Sequence, residues 1–104
     1  MSKFRTACVQ LRSGEDVKEN IREAARWIRE AAKEGARFVA TPENTSLMAP
    51  DGGAKLARSH DEARDPALPL FGSLAKELGL WLLIGSLAIK VSETMTANRS
   101  FLFS

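Results

Sequence analysis

Apolar residues in the first third of the chain change their spacing, and the change separates a strand from a helix. The segment 4–11 is short and apolar and closes at a turn around Gly14, which is typical of a strand. Apolar positions then recur every three or four residues, which predicts an amphipathic helix over 16–34. Ser13, with an acid three residues later, is a candidate N-cap, and Gly35 is a candidate left-handed C-terminal cap.

A second apolar run at 37–41 predicts another strand, which Pro42 ends. Strand, helix and strand make a βαβ unit, so the two strands should be parallel and joined by a right-handed crossover. The continuous apolar run from Phe38 to Ala40 is typical of a strand covered on both faces. Glu43 then follows the carboxyl end of a buried strand, where α/β proteins tend to bind their ligands.

The second half of the chain alternates between loop, helix and strand. After Glu43 we expect a surface excursion, with a turn at Asp51-Gly52-Gly53 and weak helical character over 54–63. Gly79 ends a second amphipathic helix. That helix is predicted at 67–78. Two strands are predicted after it, at 80–88 and 98–104, and they should pair as a hairpin. The predicted fold class is therefore α/β, a βαβ unit followed by a helix and two further strands.

Composition and charge narrow the classes of function. With 44% hydrophobic and 27% charged residues in 104, the chain is typical of one small folded domain. The net charge is only +2 and both signs are interspersed, which argues against a nucleic-acid partner. The longest apolar run, 80–89, is far below the ~20 residues of a membrane helix. The lone Cys8 and an N-terminus without signal-peptide character predict a cytoplasmic protein that does not depend on a membrane.

Three residues are candidates for chemistry when each is taken by itself. Glu43 is either a partly desolvated general base at a strand end or a surface glutamate beside a turn. Cys8 lies inside the first strand, where a buried structural cysteine is far more usual than a nucleophile. His60 lies in a charged stretch and is interpreted as a surface residue, because no metal-ligand spacing accompanies it. The sequence therefore predicts no metal and no cofactor.

Three stretches together resemble the N-terminal region of the nitrilase or carbon-nitrogen hydrolase superfamily, above all its ω-amidase-type and Nit-type members. The first is Ala7-Cys8-Val9-Gln10-Leu11 with Ser13, Gly14, Asp16 and Asn20 after it. The second runs from Ala31-Ala32 through Gly35-Ala36 and Phe38-Val39 to Pro42-Glu43. The third comprises Gly79, Leu83-Ile84-Gly85-Ser86, and Asn98 before Phe101-Leu102-Phe103. The order and spacing of these stretches carry the resemblance, which covers essentially the whole chain.

The resemblance implies hydrolysis of a small amide or nitrile to a carboxylic acid and ammonia through a Glu-Lys-Cys triad. Glu43 matches the general base of that triad. Lys90 precedes the strand that the family's lysine follows, and Cys8 lies in the first strand, so neither matches the missing partners. The resemblance also implies an α-β-β-α sandwich, of which residues 1–104 form the N-terminal part of one domain, and a homo-oligomer in the full-length protein.

Other interpretations remain open at this point. Because the chain stops inside an apolar strand, we expect it to be truncated before the lysine and the cysteine and to be inactive alone. The alternative to a hydrolase is a catalytically inactive α/β fragment that acts as a binding or interaction module. A nucleotide-binding domain is a third interpretation, against which the absence of a glycine-rich loop after the first strand argues.

Overall fold

The computed structural model describes residues 3–104, which form one four-stranded mixed sheet with helices. The strands lie in the order β1, β2, β3, β4. The pairs β1–β2 and β2–β3 are parallel, and β3–β4 is antiparallel. This topology confirms the predicted βαβ unit and the predicted hairpin. The strands are β1 (Arg5–Cys8), β2 (Ala36–Ala40), β3 (Trp81–Lys90) and β4 (Thr96–Phe103).

Helix α1 (Val17–Lys33) joins β1 to β2. Its N-cap is Asp16, whose Oδ1 accepts a hydrogen bond from Glu19 N at 3.1 Å. The prediction of Ser13 as the cap was wrong, because the Ser13 hydroxyl donates instead to Thr45 O, far along the chain. Gly35 follows the helix with φ of 90°, in the left-handed region that was predicted for it.

The segment after Glu43 is more ordered than its sequence predicts. Helix α2 (Gly52–Arg58) and a 3₁₀ turn (Glu62–Arg64) occupy it. The prediction of a turn at Asp51-Gly52-Gly53 was wrong, since the two glycines are the first residues of α2. Asp51 is the N-cap, and its Oδ1 accepts from Ala54 N at 2.8 Å. A side-chain cap of this kind satisfies an amide that the helix itself leaves unpaired.

Helix α3 (Ala67–Leu78) has the bounds that its sequence predicts. Pro66 precedes it, and Gly79 follows it with φ of 64°. An exposed ion pair, Arg29 with Glu77, joins α3 to α1, and the guanidinium lowers the pKa of the Glu77 carboxyl. A pair this exposed to solvent adds little to stability.

The hydrophobic core lies between α1, α3 and one face of the sheet. Leu82 and Ile84 of β3 alternate into it, and Phe71 of α3 is fully buried within it. On the opposite face Trp81 and Leu102 are 52% and 56% exposed. The prediction that β2 is covered on both sides is therefore wrong for residues 3–104, because both packed helices lie on one face.

A buried carboxylate, Asp65, lies just before α3. Its Oδ1 accepts a hydrogen bond from Ala67 N at 2.8 Å and so caps an amide of the first turn. Burial raises the pKa of Asp65 because the charged form loses its water. Hydrogen bonds from the Ala67 and Leu68 amides and the charge of His60 lower that pKa, so they offset part of the effect of burial.

Replacing Phe71 by alanine should lower the free energy of unfolding by about 3–5 kcal/mol, since it leaves a cavity in the centre of the core. Leu70→Ala is the matched control, because Leu70 is the preceding residue on α3 and is 41% exposed. Leu70→Ala should lower the free energy of unfolding by less than half as much as Phe71→Ala does. Denaturant unfolding of both variants measures the difference, and equal losses would contradict the position assigned to the core.

Asp65→Asn should change how stability depends on pH. An Asp65 pKa raised by folding makes the folded state bind more protons than the unfolded state between the two pKa values, so stability falls as pH rises through that window. Asparagine keeps the capping oxygen and removes the charge. The free energy of unfolding should therefore fall in the wild type, relative to Asp65→Asn, as pH rises from the ordinary pKa of aspartate to the raised pKa of Asp65. A relative stability that increases with pH would contradict the raised pKa.

Candidate functional site

The candidate site is built on residues 41–46, here called the Glu43 turn, which follow β2. Thr41 N donates to Leu83 O at 2.9 Å and so continues the parallel pairing one residue beyond β2. Asn44 has φ of 53°, a left-handed conformation that asparagine tolerates better than most residues and that reverses the chain. Glu43 therefore lies just past the carboxyl end of a parallel strand, as its sequence predicts.

Hydrogen bonds within the turn close it on itself. Thr45 is fully buried, and its hydroxyl donates to Pro42 O at 2.5 Å. The Thr41 and Thr45 hydroxyl oxygens lie 2.8 Å apart, within hydrogen-bonding distance. These contacts join residues on both sides of Glu43, so its backbone is held from before and after.

The same turn is attached to β3 at Gly85 and Ser86. Asn44 N donates to Ser86 Oγ at 2.9 Å, and Thr45 N donates to Ser86 O at 3.0 Å. Gly85 N donates to Thr41 Oγ1 at 3.3 Å. Backbone amides that follow Glu43 are thus paired with a neighbouring strand instead of with water.

A third set of contacts ties the turn to the start of α1. The buried Asn20 side chain donates from Nδ2 to Ser46 O at 2.9 Å and to Gly14 O at 2.7 Å. Gly14 N in turn donates to Asn20 Oδ1 at 2.9 Å. The Ser13 hydroxyl donates to Thr45 O at 2.7 Å. Asn20 therefore links the helix start, the loop before it and the Glu43 turn.

The Glu43 side chain itself is exposed, so the prediction of a partly desolvated carboxylate is wrong for residues 3–104. Within the same residues it forms no hydrogen bond or ion pair. A carboxylate with free lone pairs on a fixed backbone can accept a proton from a group brought to it. Next to it, the Asn44 Oδ1 is buried and has no hydrogen-bond partner among the described residues.

The two other candidates from the sequence do not join Glu43. Cys8 is exposed, so its interpretation as a buried cysteine was wrong. It lies on an edge strand, and its neighbours Ala7 and Val9 pack against the core, so alternation directs Cys8 to the face that the helices leave open. His60 is exposed, as predicted, and its carbonyl accepts from Lys90 N at 2.8 Å.

Gly85, Ser86 and Asn20 are among the residues of the site whose roles are not predicted from the sequence. A signal existed for each. Gly85 and Ser86 interrupt an otherwise apolar strand, and a glycine there often marks a bulge or a close approach of another backbone. Asn20 is a polar residue beside the apolar positions of α1, one place before Ile21.

The described part of the chain contains neither a cluster of metal ligands nor a membrane-spanning helix. No three or more His, Cys, Asp or Glu side chains of residues 3–104 are grouped as metal ligands. None of the helices over the same residues has the length and apolar character needed to cross a membrane.

Comparison with known sequences identifies relatives over most of the chain. The family described as carbon-nitrogen hydrolase matches residues 5–104. The omega-amidase NIT2-B of Xenopus laevis is 32% identical over 87 residues, which are 84% of this chain and 31% of that protein. The omega-amidase NIT2 of Homo sapiens is 30% identical over the same proportions. The chain thus spans about a third of the length of the curated relatives it matches.

Solved structures show the same fold at lower identity. The NitFhit protein of C. elegans superposes with a TM-score of 0.80 at 20% identity. The aligned region covers 93% of this chain and 24% of the NitFhit chain. An amidase from Nesterenkonia sp. gives 0.79 at 21% identity, with 95% and 37% covered. Nit3 of Saccharomyces cerevisiae, a member of the nitrilase superfamily, gives 0.73 at 20% identity, with 88% and 35% covered.

The Glu43 turn thus belongs to a sheet and helices whose sequence matches one family over nearly every residue and whose fold recurs in nitrilase-superfamily structures. The chain is a member of the carbon-nitrogen hydrolase family.

Proposed function

We propose that these residues supply the general base, Glu43, of an enzyme that hydrolyses the carbon-nitrogen bond of a small amide. The observation that carries the proposal is the free Glu43 carboxylate on a turn held by β3 and α1 at the carboxyl end of parallel strands. Membership of the carbon-nitrogen hydrolase family gives the reaction class. The curated relatives are about three times as long as this chain, so the activity would belong to the whole protein.

A rigid support suits a general base because proton transfer depends on short, aligned contacts. A base must lie about 2.6–3.2 Å from the atom whose proton it takes, and a displacement of 1 Å can cost about 100-fold in rate. The Glu43 turn is held from three directions, by its own threonines, by Ser86 and by Asn20. The Glu43 side chain makes none of these contacts, so it is free to move toward a reacting group.

The proposed reaction follows from what a carboxylate can do beside a thiol and an amide. Glu43 takes the thiol proton as sulfur attacks the amide carbon, and returns that proton to the leaving nitrogen, which departs as ammonia. Glu43 then takes a proton from water, whose oxygen attacks the thioester carbon. The carbon–sulfur bond breaks, the carboxylic acid is released and the thiol regains its proton.

The other two members of the triad are assigned, in this proposal, to residues outside the 104. A lysine would stabilise the negative oxygen of the tetrahedral intermediate, and a cysteine would supply the thiol. Cys8 is not given that role, since it belongs to β1 on an edge of the sheet. Cytoplasmic location and assembly as a homo-oligomer also stay predictions from the sequence.

An amide is favoured over a nitrile as the substrate class. The relatives NIT2-B and NIT2 are named omega-amidases, and the Nesterenkonia protein is named an amidase. Short ω-amides are therefore the first substrates to assay.

Glu43→Gln in the full-length protein should lower kcat by about two orders of magnitude or more, because glutamine keeps the size of the side chain but cannot accept the proton. Ammonia release from short ω-amides and aliphatic nitriles measures the effect. Glu93→Gln is the matched control, since Glu93 is an exposed glutamate in the loop between β3 and β4. It should retain the turnover of the wild type.

Wild-type turnover in Glu43→Gln would remove the assignment of the base. Absence of ammonia release from every amide and nitrile in the wild-type full-length protein would instead favour the alternative function, a binding or interaction module without catalysis. Faster turnover of nitriles than of amides would correct the substrate class and leave the role of Glu43 intact.

The 104-residue chain alone should release no ammonia from the same substrates, because a base has no effect on an amide without a nucleophile to activate.

The 104-residue chain alone should also self-associate, since Trp81 and Leu102 leave an apolar sheet face open to water. Ammonia assays and light scattering on the purified chain test both outcomes. Ammonia release that disappears in Cys8→Ser would show that the nucleophile had been misassigned, and a monodisperse monomer would contradict the open face.

A further inference from the structure

The attachment of the Glu43 turn to β3 is made where the pairing of β3 with β4 is irregular. Ile84 pairs with Phe101 and Leu87 pairs with Arg99, so two residues of β3, Gly85 and Ser86, lie opposite the single residue Ser100. This two-against-one arrangement is a β-bulge, a feature that often adjoins active sites and redirects a side chain. The Ser100 hydroxyl donates to Gly85 O at 2.6 Å and so holds the bulge from the β4 side.

The bulge directs Ser86 toward the Glu43 turn, and both Ser86 oxygens accept hydrogen bonds from that turn. Its carbonyl accepts from Thr45 N and its hydroxyl accepts from Asn44 N. Ser86 is buried, and a buried hydroxyl is costly unless it is paired in this way. The amide bonded to Ser86 Oγ belongs to Asn44, the residue directly after Glu43, and Asn44 has a left-handed φ. The Ser86 hydroxyl thus stabilises the backbone conformation that sets the direction of the Glu43 side chain.

Gly85 allows this approach because it has no Cβ. A Cβ at that position would lie 2.5 Å from Pro42 C, Pro42 O and Thr41 O. These are backbone atoms, so they could not swing aside as a side chain can. Any other residue at Gly85 would push the turn away from β3 and displace Glu43 with it.

We infer that Ser86, presented by the bulge at Gly85, is a positioning residue for the general base, and that it acts on the reaction through Glu43 without touching the substrate. The inference rests on the proposed function of Glu43. It adds to that function a specific hydrogen bond, from Asn44 N to Ser86 Oγ, on which the alignment of the base depends.

Ser86→Ala in the full-length protein should lower kcat for ω-amide hydrolysis by about 10- to 100-fold and change KM by less than about twofold, because it shifts the base and not the substrate contacts. Ser86→Thr keeps the hydroxyl and should recover most of the lost kcat. Ser59→Ala is the matched control, since the Ser59 hydroxyl also makes one hydrogen bond with the backbone, donating to Leu56 O of α2 at 3.1 Å. Its kcat should stay within about twofold of the wild type.

A double-mutant cycle separates positioning from a general loss of structure. If Ser86 acts through Glu43, adding Ser86→Ala to Glu43→Gln should leave kcat unchanged, whereas a loss of folded enzyme would lower it further. An additional 10-fold loss in the double variant, or wild-type kcat in Ser86→Ala, would overturn the inference. If Ser86→Ala does not fold, Ser86→Cys carries the test, because sulfur is a weaker acceptor and kcat should be intermediate. Wild-type kcat in Ser86→Cys would also overturn it.

The failure of the proposed function has a different signature. In that case Glu43→Gln itself retains turnover, whatever the Ser86 variants do. If Glu43→Gln is inactive and Ser86→Ala is fully active, the base assignment stands and the positioning role alone is lost.

Discussion

The close passage of the Thr41–Pro42 backbone over Gly85 is the constraint on which the site depends. A single added carbon at Gly85 would lie 2.5 Å from three backbone atoms of those residues. Because the approach is so close, the amides after Glu43 can reach Ser86, and the Thr41 hydroxyl can accept from Gly85 N. The site is therefore defined by backbone contacts between the turn that follows β2 and the middle of the neighbouring strand β3, with side-chain hydroxyls completing the pairing.

The core explains why that contact holds. Val39 of β2 and Leu82 and Ile84 of β3 are fully buried against α1 and α3, which keeps the two strands in parallel register up to the residue before the turn. Asn20 extends the support to the loop, since it hydrogen-bonds both Gly14 and Ser46. Packing on one face of the sheet thus fixes the turn at the carboxyl end of β2, while the opposite face stays open. A loop at the carboxyl end of parallel strands is the usual place in which α/β proteins hold a functional group.

The sequence predicts the elements well where local signals agree and poorly where they depend on distant residues. Helix α3 was predicted to the residue, because a proline, an apolar period of three to four and a glycine with left-handed φ all mark the same bounds. The start of helix α2 is predicted as a turn because of its two glycines, whereas in the structure Asp51 caps the helix there. The exposure of Cys8 could not be predicted, because it depends on which face the helices cover. The role of Ser86 depends on the register between β3 and β4, which no local pattern encodes.

Two carboxylates near strand and helix ends illustrate what distinguishes a structural acid from a candidate catalytic one. Asp65 is buried, and hydrogen bonds from the Ala67 and Leu68 amides occupy its oxygens, so its lone pairs are committed to the start of α3. Glu43 is exposed, and its backbone is fixed while its carboxylate makes no hydrogen bond within residues 3–104. In sequence both are acids next to a proline, Pro66 after Asp65 and Pro42 before Glu43. A proton acceptor needs free lone pairs on a rigid support, and of these two acids only Glu43 combines both.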